Sequence, residues 1–178
     1  MRIVAVVAFA LLTALAAQVK VPLPGTPVPM TLQTLVVLLS GLTLGPWLGS
    51  ASMAFYLLLG MAGTPVFADT VGSNGMFFGA TGGYLIGFLL SQPAVGLIAR
   101  LRPTKSVWPT AILATFTGHA IIFGCGLIWL SAWLDIGLAR TLELGLWPFM
   151  IGMLLKTGVA AALGGICAPA ARWMQGGR

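Results

Sequence analysis

Residues 31–62 read TLQTLVVLLSGLTLGPWLGSASMAFYLLLGMA and contain no charged side chain. A membrane-spanning helix needs about 20 mainly apolar residues, so a stretch of this length and composition indicates membrane-embedded helix. Gly45 and Pro46 interrupt it near the middle, and proline breaks a helix because it has no backbone N–H and clashes with the preceding turn. The stretch therefore predicts two apolar helices, at about 31–44 and 47–62, joined in a tight hairpin.

Four more apolar runs accompany this hairpin. They cover about 3–19, 81–99, 108–134 and 147–171. Pro93 predicts a kink in the run at 81–99, and Pro148 suits the N-terminus of the last run. We therefore predict an all-α integral membrane protein, a bundle of six transmembrane helices that forms a single membrane domain over residues 1–178.

Two connections stand out. The stretch VPLPGTPVP, which follows Lys20, is too rich in proline for a helix. Residues 63–80 are rich in glycine and turn formers but retain apolar side chains such as Val66 and Phe67. An apolar connection of this kind is expected to fold back onto the protein.

The composition excludes several classes of protein. Of 178 residues, 58% are hydrophobic and 7% are charged, and the mean hydropathy is +1.02, whereas a soluble domain is about 25% charged. In so apolar a chain the net charge of +6 indicates membrane topology, and no nucleic-acid partner is expected. The motifs GxxxxGK[ST], HExxH and GxSxG do not occur, so we expect neither ATP hydrolysis by this chain nor another enzyme activity.

Six spans divide the charged connections between two sides of the membrane. One side receives only basic residues: Arg2, Arg100, Arg102, Lys105, Arg172 and Arg178. The other side receives two basic and three acidic residues: Lys20, Asp69, Asp135, Arg140 and Glu143. Because short cytoplasmic connections carry the excess of Lys and Arg, this division predicts that both termini face the cytoplasm.

The first apolar run has an alternative interpretation. Arg2, the run itself and the sequence Ala14-Leu15-Ala16 resemble a signal peptide with its cleavage site. Cleavage there leaves five spans and spoils the charge division, so the six-span prediction is favoured. Ala10 and Ala14 are four residues apart, a spacing that allows close helix packing inside the bundle or against another membrane protein.

Lys156 is the most informative single residue, because a charged side chain within a span costs about 2.5–3.5 kcal/mol on insertion scales. No acidic residue occurs in any of the apolar runs. Lys156 either snorkels or binds backbone carbonyls, or its counter-ion is the carboxylate or phosphate of a ligand, which is the favoured hypothesis. His119 is weaker evidence, since a bond to a neighbouring helix is at least as good an explanation as a ligand contact.

The absence of carboxylates in the runs also bears on energy coupling. Ion-coupled transporters place carboxylates within the membrane to carry protons or sodium. The sequence therefore favours a substrate-binding membrane subunit that is powered by another component.

Three separated segments resemble the hallmark motifs of the BioY family: PVPMTLQTLVVLLSG at 27–41, GATGGYLIGF at 79–88 and PFMIGMLLK at 148–156. Members of that family are the biotin-binding S components of energy-coupling factor (ECF) transporters, and the resemblance covers nearly the whole chain. It implies a six-helix protein of a bacterial cell membrane, with an outward-facing biotin pocket beneath the first and third connections. It also implies a transmembrane T component and a pair of ABC-type ATPases as partners, with Ala10 and Ala14 meeting the T component, and no cofactor.

The resemblance implies which residues bind biotin. Lys156 and Asn74 are the foremost candidates, followed by Thr31, Gln33, Thr81 and Tyr84, and Phe67, Phe77 and Phe78 are expected to close over the ring. For Thr31 and Gln33, capping and helix-to-helix hydrogen bonding are equally good explanations. Which end of biotin meets Lys156 stays open.

The chain departs from the family pattern most at Met153, where the family form PFxxGDxxK has an aspartate. That aspartate lies three residues before the lysine, on the same helix face. Either Asn74 or a backbone carbonyl takes its place, or affinity is reduced, or the substrate is a relative of biotin. Two other functions stay open: an S component for another vitamin, and a stand-alone facilitator that works without ATPases. Two smaller departures are Ala80, within GATGGY, and Trp47.

Overall fold

A computed structural model of the chain describes residues 1–68, 79–101 and 108–166. The elements follow one another along the chain as helix α1 (Arg2–Gln18), strands β1 (Lys20–Val21) and β2 (Met30–Thr31), and helices α2 (Gln33–Met61), α3 (Gly82–Leu101), α4 (Trp108–Leu134) and α5 (Leu138–Gly145), a 3-10 turn (Trp147–Phe149) and helix α6 (Met150–Ile166).

Helix α2 reverses direction at its centre. Gly45 has φ 80° and ψ −173° and is followed by Pro46, a backbone conformation that glycine alone adopts readily. A Cβ built on Gly49 lies 3.4 Å from the Cα of Gly41, although residues eight apart in a straight helix are about 12 Å apart. The two halves of α2 therefore pack against each other, and the tight hairpin predicted at Gly45-Pro46 is confirmed.

Helix α3 packs against α2 on one side and α4 on the other. Glycines allow this close approach, since a Cβ on Gly87 lies 2.7 Å from the Cα of Ile122 in α4. The fully buried side chain of Gln92 joins α3 to α2: its Nε2 donates to the carbonyl oxygen of Val37 at 3.1 Å, and its Oε1 accepts from the hydroxyl of Ser40 at 2.7 Å. These polar groups are satisfied within the bundle, as an apolar environment requires.

Several connections meet at one end of the bundle. The antiparallel pair β1–β2 lies there, with Lys20 opposite Thr31. The Lys20 ammonium donates to the carbonyl oxygen of Ala68 at 2.6 Å, and the Thr26 hydroxyl donates to that of Leu144 at 2.7 Å. The described beginning of the connection after α2 folds back onto the protein as predicted, because Phe67 is buried and Val66 packs against the core.

Helix α5 was not predicted from hydropathy. It is short and amphipathic, and Arg140 and Glu143 form an ion pair of 2.7 Å on its exposed face. Its polar face explains why a search for long apolar runs missed it.

Four described segments are long and apolar enough to cross a membrane: Gln33–Met61, Gly82–Leu101, Trp108–Leu134 and Leu138–Gly164. Helix α1 is a shorter apolar helix. Large apolar side chains such as Leu15, Ile128 and Ile151 point away from the bundle, as they do on a surface that faces lipid. The prediction of an all-helical membrane protein is therefore confirmed.

The orientation of α1 corrects one prediction. Ala10 is fully buried, and Ala14 is partly buried and packs against the core, because this face of α1 lies against α2, where the Ser52 hydroxyl donates to the carbonyl oxygen of Val6 at 2.8 Å. The small methyl groups let these helices approach each other. Ala10 is thus a packing residue within the chain and not part of a free surface for a T component.

Candidate functional site

A cavity of about 620 Å³, counted together with the open space at its mouth, lies at the end of the bundle where the connections meet. Segment 28–31, the connection after α2 and the first turns of α2 and α3 bound it, and α4 and α6 complete its wall. The described candidates for substrate binding all line it: Thr31, Gln33, Thr81, Tyr84, Met153 and Lys156. Helices that are distant in sequence therefore bring the predicted residues together. Asn74, Phe77 and Phe78 lie outside the described residues.

Lys156 places a positive charge in the wall of this cavity. The side chain is half-buried in α6, and its ammonium donates to the carbonyl oxygen of Thr31 at 2.6 Å. This bond is one of the two explanations that the sequence allowed. A neutral carbonyl leaves the charge itself uncompensated, and within the described ranges the structure pairs no carboxylate with Lys156. The ammonium is therefore positioned to bind an anionic group that enters the cavity.

Thr31 and Gln33 take part in a chain of hydrogen bonds that fixes the rim. The Thr31 hydroxyl donates to Oε1 of Gln33 at 3.1 Å, and Nε2 of Gln33 donates to the Tyr56 hydroxyl at 2.5 Å. Tyr56 in turn donates to the carbonyl oxygen of Val66 at 3.1 Å. Gln33 therefore has the helix-to-helix role that the sequence allowed. Through Tyr56, its amide joins the hairpin of α2 to the connection that follows it.

Thr81 and Tyr84 begin helix α3 beside the cavity. The Thr81 carbonyl oxygen accepts from the backbone N–H of Tyr84 at 3.0 Å. The Tyr84 hydroxyl donates to the carbonyl oxygen of Gly145 at 2.8 Å, which holds α5 against the bundle. Tyr84 thus lines the cavity while its hydroxyl hydrogen is engaged by Gly145.

Much of the remaining wall is apolar and aromatic, although Thr34 and His119 also line it. Its aromatic and large aliphatic residues on the helices and the 3-10 turn are Leu85, Phe88, Ile122, Phe123 and Phe149. Phe123 meets Tyr84 edge-to-face at 6.0 Å between ring centroids. These residues were not predicted as site residues. Phe88 and Phe149 lie within the motifs GATGGYLIGF and PFMIGMLLK, and that position was the one indication in the sequence that they line the site.

Phe67 does not line the cavity, contrary to the prediction that it closes over a ligand ring. It is 2% exposed and packs edge-to-face on Tyr56 at 5.5 Å, with its ring filling the space above Gly60. The neighbouring Ala68 lines the cavity instead.

Met153 occupies the wall on the same helix face as Lys156, and it is 7% exposed. The largest departure from the family pattern therefore falls within the cavity itself.

His119, in α4, also lines the cavity and is 1% exposed. Its Nδ1 is 3.0 Å from the hydroxyl oxygen of Thr157 in α6. The bond to a neighbouring helix that the sequence allowed is therefore present, and the imidazole also faces the cavity.

Comparisons with known proteins agree with this geometry. A sequence profile described as the BioY family matches residues 1–172. The chain is 36% identical over 155 residues to the "Probable biotin transporter BioY" of Pyrococcus horikoshii, covering 87% of this chain and 88% of that protein. It is 35% identical over 155 residues to the "Biotin transporter BioY" of Thermotoga maritima, with the same coverage of 87% and 88%.

The fold is also similar to a solved structure. The crystal structure of "the S-component for biotin from an ECF-type ABC transporter" matches with a TM-score of 0.85 and 23% sequence identity, over 94% of this chain and 90% of that chain. That likeness establishes the shared fold. Together with the family profile and the two relatives, it shows that the chain belongs to the BioY family.

Proposed function

We propose that this chain is the substrate-binding S component that captures biotin from outside the cell for ATP-driven uptake by an ECF transporter. The observation that carries the proposal is the convergence of the described motif residues on one cavity, to which Lys156 presents an ammonium that no described carboxylate neutralises. The two curated relatives are a biotin transporter and a probable one. The role is one of transport and not of catalysis.

The cavity matches biotin in chemical character. Biotin has a carboxylate tail, an apolar thioether ring and a ureido group that both donates and accepts hydrogen bonds. Lys156 supplies a cation for the carboxylate, and the aromatic wall supplies apolar contact for the thioether ring. A ligand of this size is held mainly by apolar walls and oriented by a few polar groups.

The proposal includes six spans with both termini in the cytoplasm of a bacterial cell, and partnership with a T component and ABC-type ATPases. The reversal inside α2 supports the span count, since it divides one long apolar stretch into two antiparallel segments. The charge division supports the orientation. It puts the connections around the cavity on the outer side, where an S component meets its substrate.

Equilibrium binding of radiolabelled biotin to the purified protein in detergent tests the proposal. We expect saturable binding that unlabelled biotin displaces and that other vitamins do not. Saturable binding of a different vitamin, and no binding of biotin, would instead establish an S component for that vitamin. This second candidate is considered because Met153 replaces the aspartate of the family pattern.

A second measurement tests the energy source. Vesicles that contain this chain alone should bind biotin but should not accumulate it without T component and ATPases. Uptake by the chain alone would identify a stand-alone facilitator.

A further inference from the structure

The Nε2 atom of His119 is a buried polar atom that the fold leaves unused. The side chain lines the cavity and is 1% exposed, yet among the described residues Nε2 has no hydrogen-bond partner. Nearly all buried polar atoms in native proteins are hydrogen-bonded, and each exception calls for an explanation. Because the imidazole lines the cavity, a ligand bound there is the partner that the site can supply.

The ring is held in one orientation. Its Nδ1 is bound to the Thr157 hydroxyl at 3.0 Å, and Phe123, one helical turn away in α4, stacks on it with a centroid distance of 6.2 Å and an interplanar angle of 22°. A side chain fixed at both its edge and its face directs its remaining nitrogen without further loss of conformational entropy. His119 is therefore a preorganised hydrogen-bonding group.

Lys156 and His119 bring different chemistry to the same cavity. Lys156 and its neighbour Thr157 are adjacent in α6; the Lys156 ammonium donates to the carbonyl oxygen of Thr31, whereas the Thr157 hydroxyl meets Nδ1 of His119. The cavity wall therefore holds a charged donor and an imidazole nitrogen. Phe123 and Ile122, next to His119 in the cavity wall, surround it with apolar surface.

We propose that His119 Nε2 hydrogen-bonds the ureido group of bound biotin while Lys156 binds the carboxylate. This inference rests on the proposed function. The ureido group has N–H donors and a carbonyl acceptor, so it can pair with Nε2 whichever ring nitrogen carries the proton. The charged carboxylate belongs with the charged side chain. Among the described residues no carboxylate lines the cavity, and Met153 stands in its wall. His119 then supplies the polar contact for the ureido group.

Paired substitutions test the contact. His119→Asn keeps an amide near the position of Nδ1 and removes Nε2, whereas His119→Gln places an amide near Nε2. We expect His119→Asn to weaken biotin binding by about tenfold or more, the usual effect of one lost ligand hydrogen bond, and His119→Gln to retain much of the affinity. Equal affinity of native protein and His119→Asn would overturn the proposal.

Thr110→Val is the matched control. Thr110 is on the same helix and is 5% exposed, and its hydroxyl also lacks a partner within the described ranges, but it does not line the cavity. Its replacement should leave biotin affinity unchanged. A tenfold loss in this variant would overturn the proposal, because the loss at His119 would then be the general effect of altering a buried polar group in α4.

Biotin methyl ester, which lacks the carboxylate and keeps the ureido group, assigns the two ends. His119→Asn should lose the same factor with biotin and with the ester, whereas Lys156→Met should lose affinity for biotin and little for the ester. If the His119 effect disappears with the ester and the Lys156 effect remains, the two ends are reversed and the assignment is wrong.

A direct measurement avoids substitutions. The chain has one histidine, so protein labelled with ¹⁵N-histidine and purified without a histidine tag reports on His119 alone. Saturating biotin should shift the Nε2 resonance strongly and the Nδ1 resonance much less. An unmoved Nε2 signal with biotin demonstrably bound would reject the contact and leave the proposed function standing, whereas absence of biotin binding by the native protein would reject the proposed function.

Discussion

At the scale of a single residue, Lys156 has a local energetic cost that the ligand-binding role proposed for it would offset. Its ammonium donates to one carbonyl oxygen and is half-buried in an apolar helix. A charge without a counter-charge in such surroundings is unfavourable. A bound carboxylate removes that cost, so affinity and the stability of the loaded protein depend on the same contact.

We therefore expect Lys156→Ala to weaken biotin binding by at least about 30-fold, the range found when one partner of a buried charged pair is truncated. Insertion into the membrane should be unaffected or improved, because alanine is cheaper to bury. Arg140→Ala is a suitable control, since its ion pair with Glu143 is exposed and worth little. Binding of radiolabelled biotin to the purified variants measures the effect; unchanged affinity would remove Lys156 from the site.

Met153→Asp restores the residue of the family pattern at a position in the cavity wall. We expect the aspartate to tighten biotin binding several-fold, because a carboxylate accepts hydrogen bonds from N–H groups more strongly than a neutral group does. Met153→Asn separates charge from polarity and should give a smaller gain. Weaker binding by the aspartate variant would mean that this cavity is adapted to methionine.

Single residues also show where sequence analysis reaches its limit. Lys156 was identifiable because a charge in an apolar run is visible in the sequence itself. The bond from Tyr84 to Gly145 and the burial of Ala10 depend on which helix lies opposite, and helical spacing alone does not fix that neighbour. The bond from His119 to Thr157 is of the kind that the sequence allowed, but the fixed orientation of its ring depends on Thr157 and Phe123 and was not predictable from helical spacing.

At the scale of the elements, glycines set how closely helices approach. A Cβ at Gly96 in α3 would overlap the backbone at Gly45 and Pro46, where α2 reverses. Gly124 in α4 has no atom within 4 Å of the corresponding position. Both residues are in helices, so intrinsic helix propensity favours alanine at each by about 1 kcal/mol. The effects of an alanine substitution at the two positions therefore differ only through packing.

Gly96→Ala should therefore lower the thermal unfolding temperature in detergent, because the overlap is with rigid backbone and overpacking costs about 1–3 kcal/mol. Gly124→Ala should leave that temperature unchanged or raise it slightly. Equal behaviour of the two variants would show that the α2 turn does not press on α3.

The hairpin of α2 was predictable because Gly45-Pro46 acts locally on the backbone. Helix α5 was not, because it is short and polar on one face and is held in place by bonds from Tyr84 and Thr26. The α2 hairpin, which depends on its own sequence, was therefore predicted, whereas helix α5, which depends on tertiary contacts, was not.

At the scale of the whole molecule, the cavity and the charge distribution are linked. The connections around the cavity include Lys20 and the ion pair of Arg140 with Glu143, which belong to the side with mixed charge. The opposite side carries the basic excess, including Arg100 in the last turn of α3. Positive residues held in the cytoplasm would therefore turn the mouth of the cavity outward, toward a substrate arriving from outside.

Cysteine labelling in cells tests this orientation, once Cys125 and Cys167 have been replaced by alanine. Trp108 begins α4, and Ala139 lies just past its end, so about 40 Å of helix separates them. A membrane-impermeant maleimide should label Ala139→Cys in intact cells, and Trp108→Cys only after permeabilisation. Because both positions are exposed on the protein, access to the reagent and not burial decides the outcome. The reverse pattern would place the cavity mouth in the cytoplasm, where it could not capture biotin for uptake.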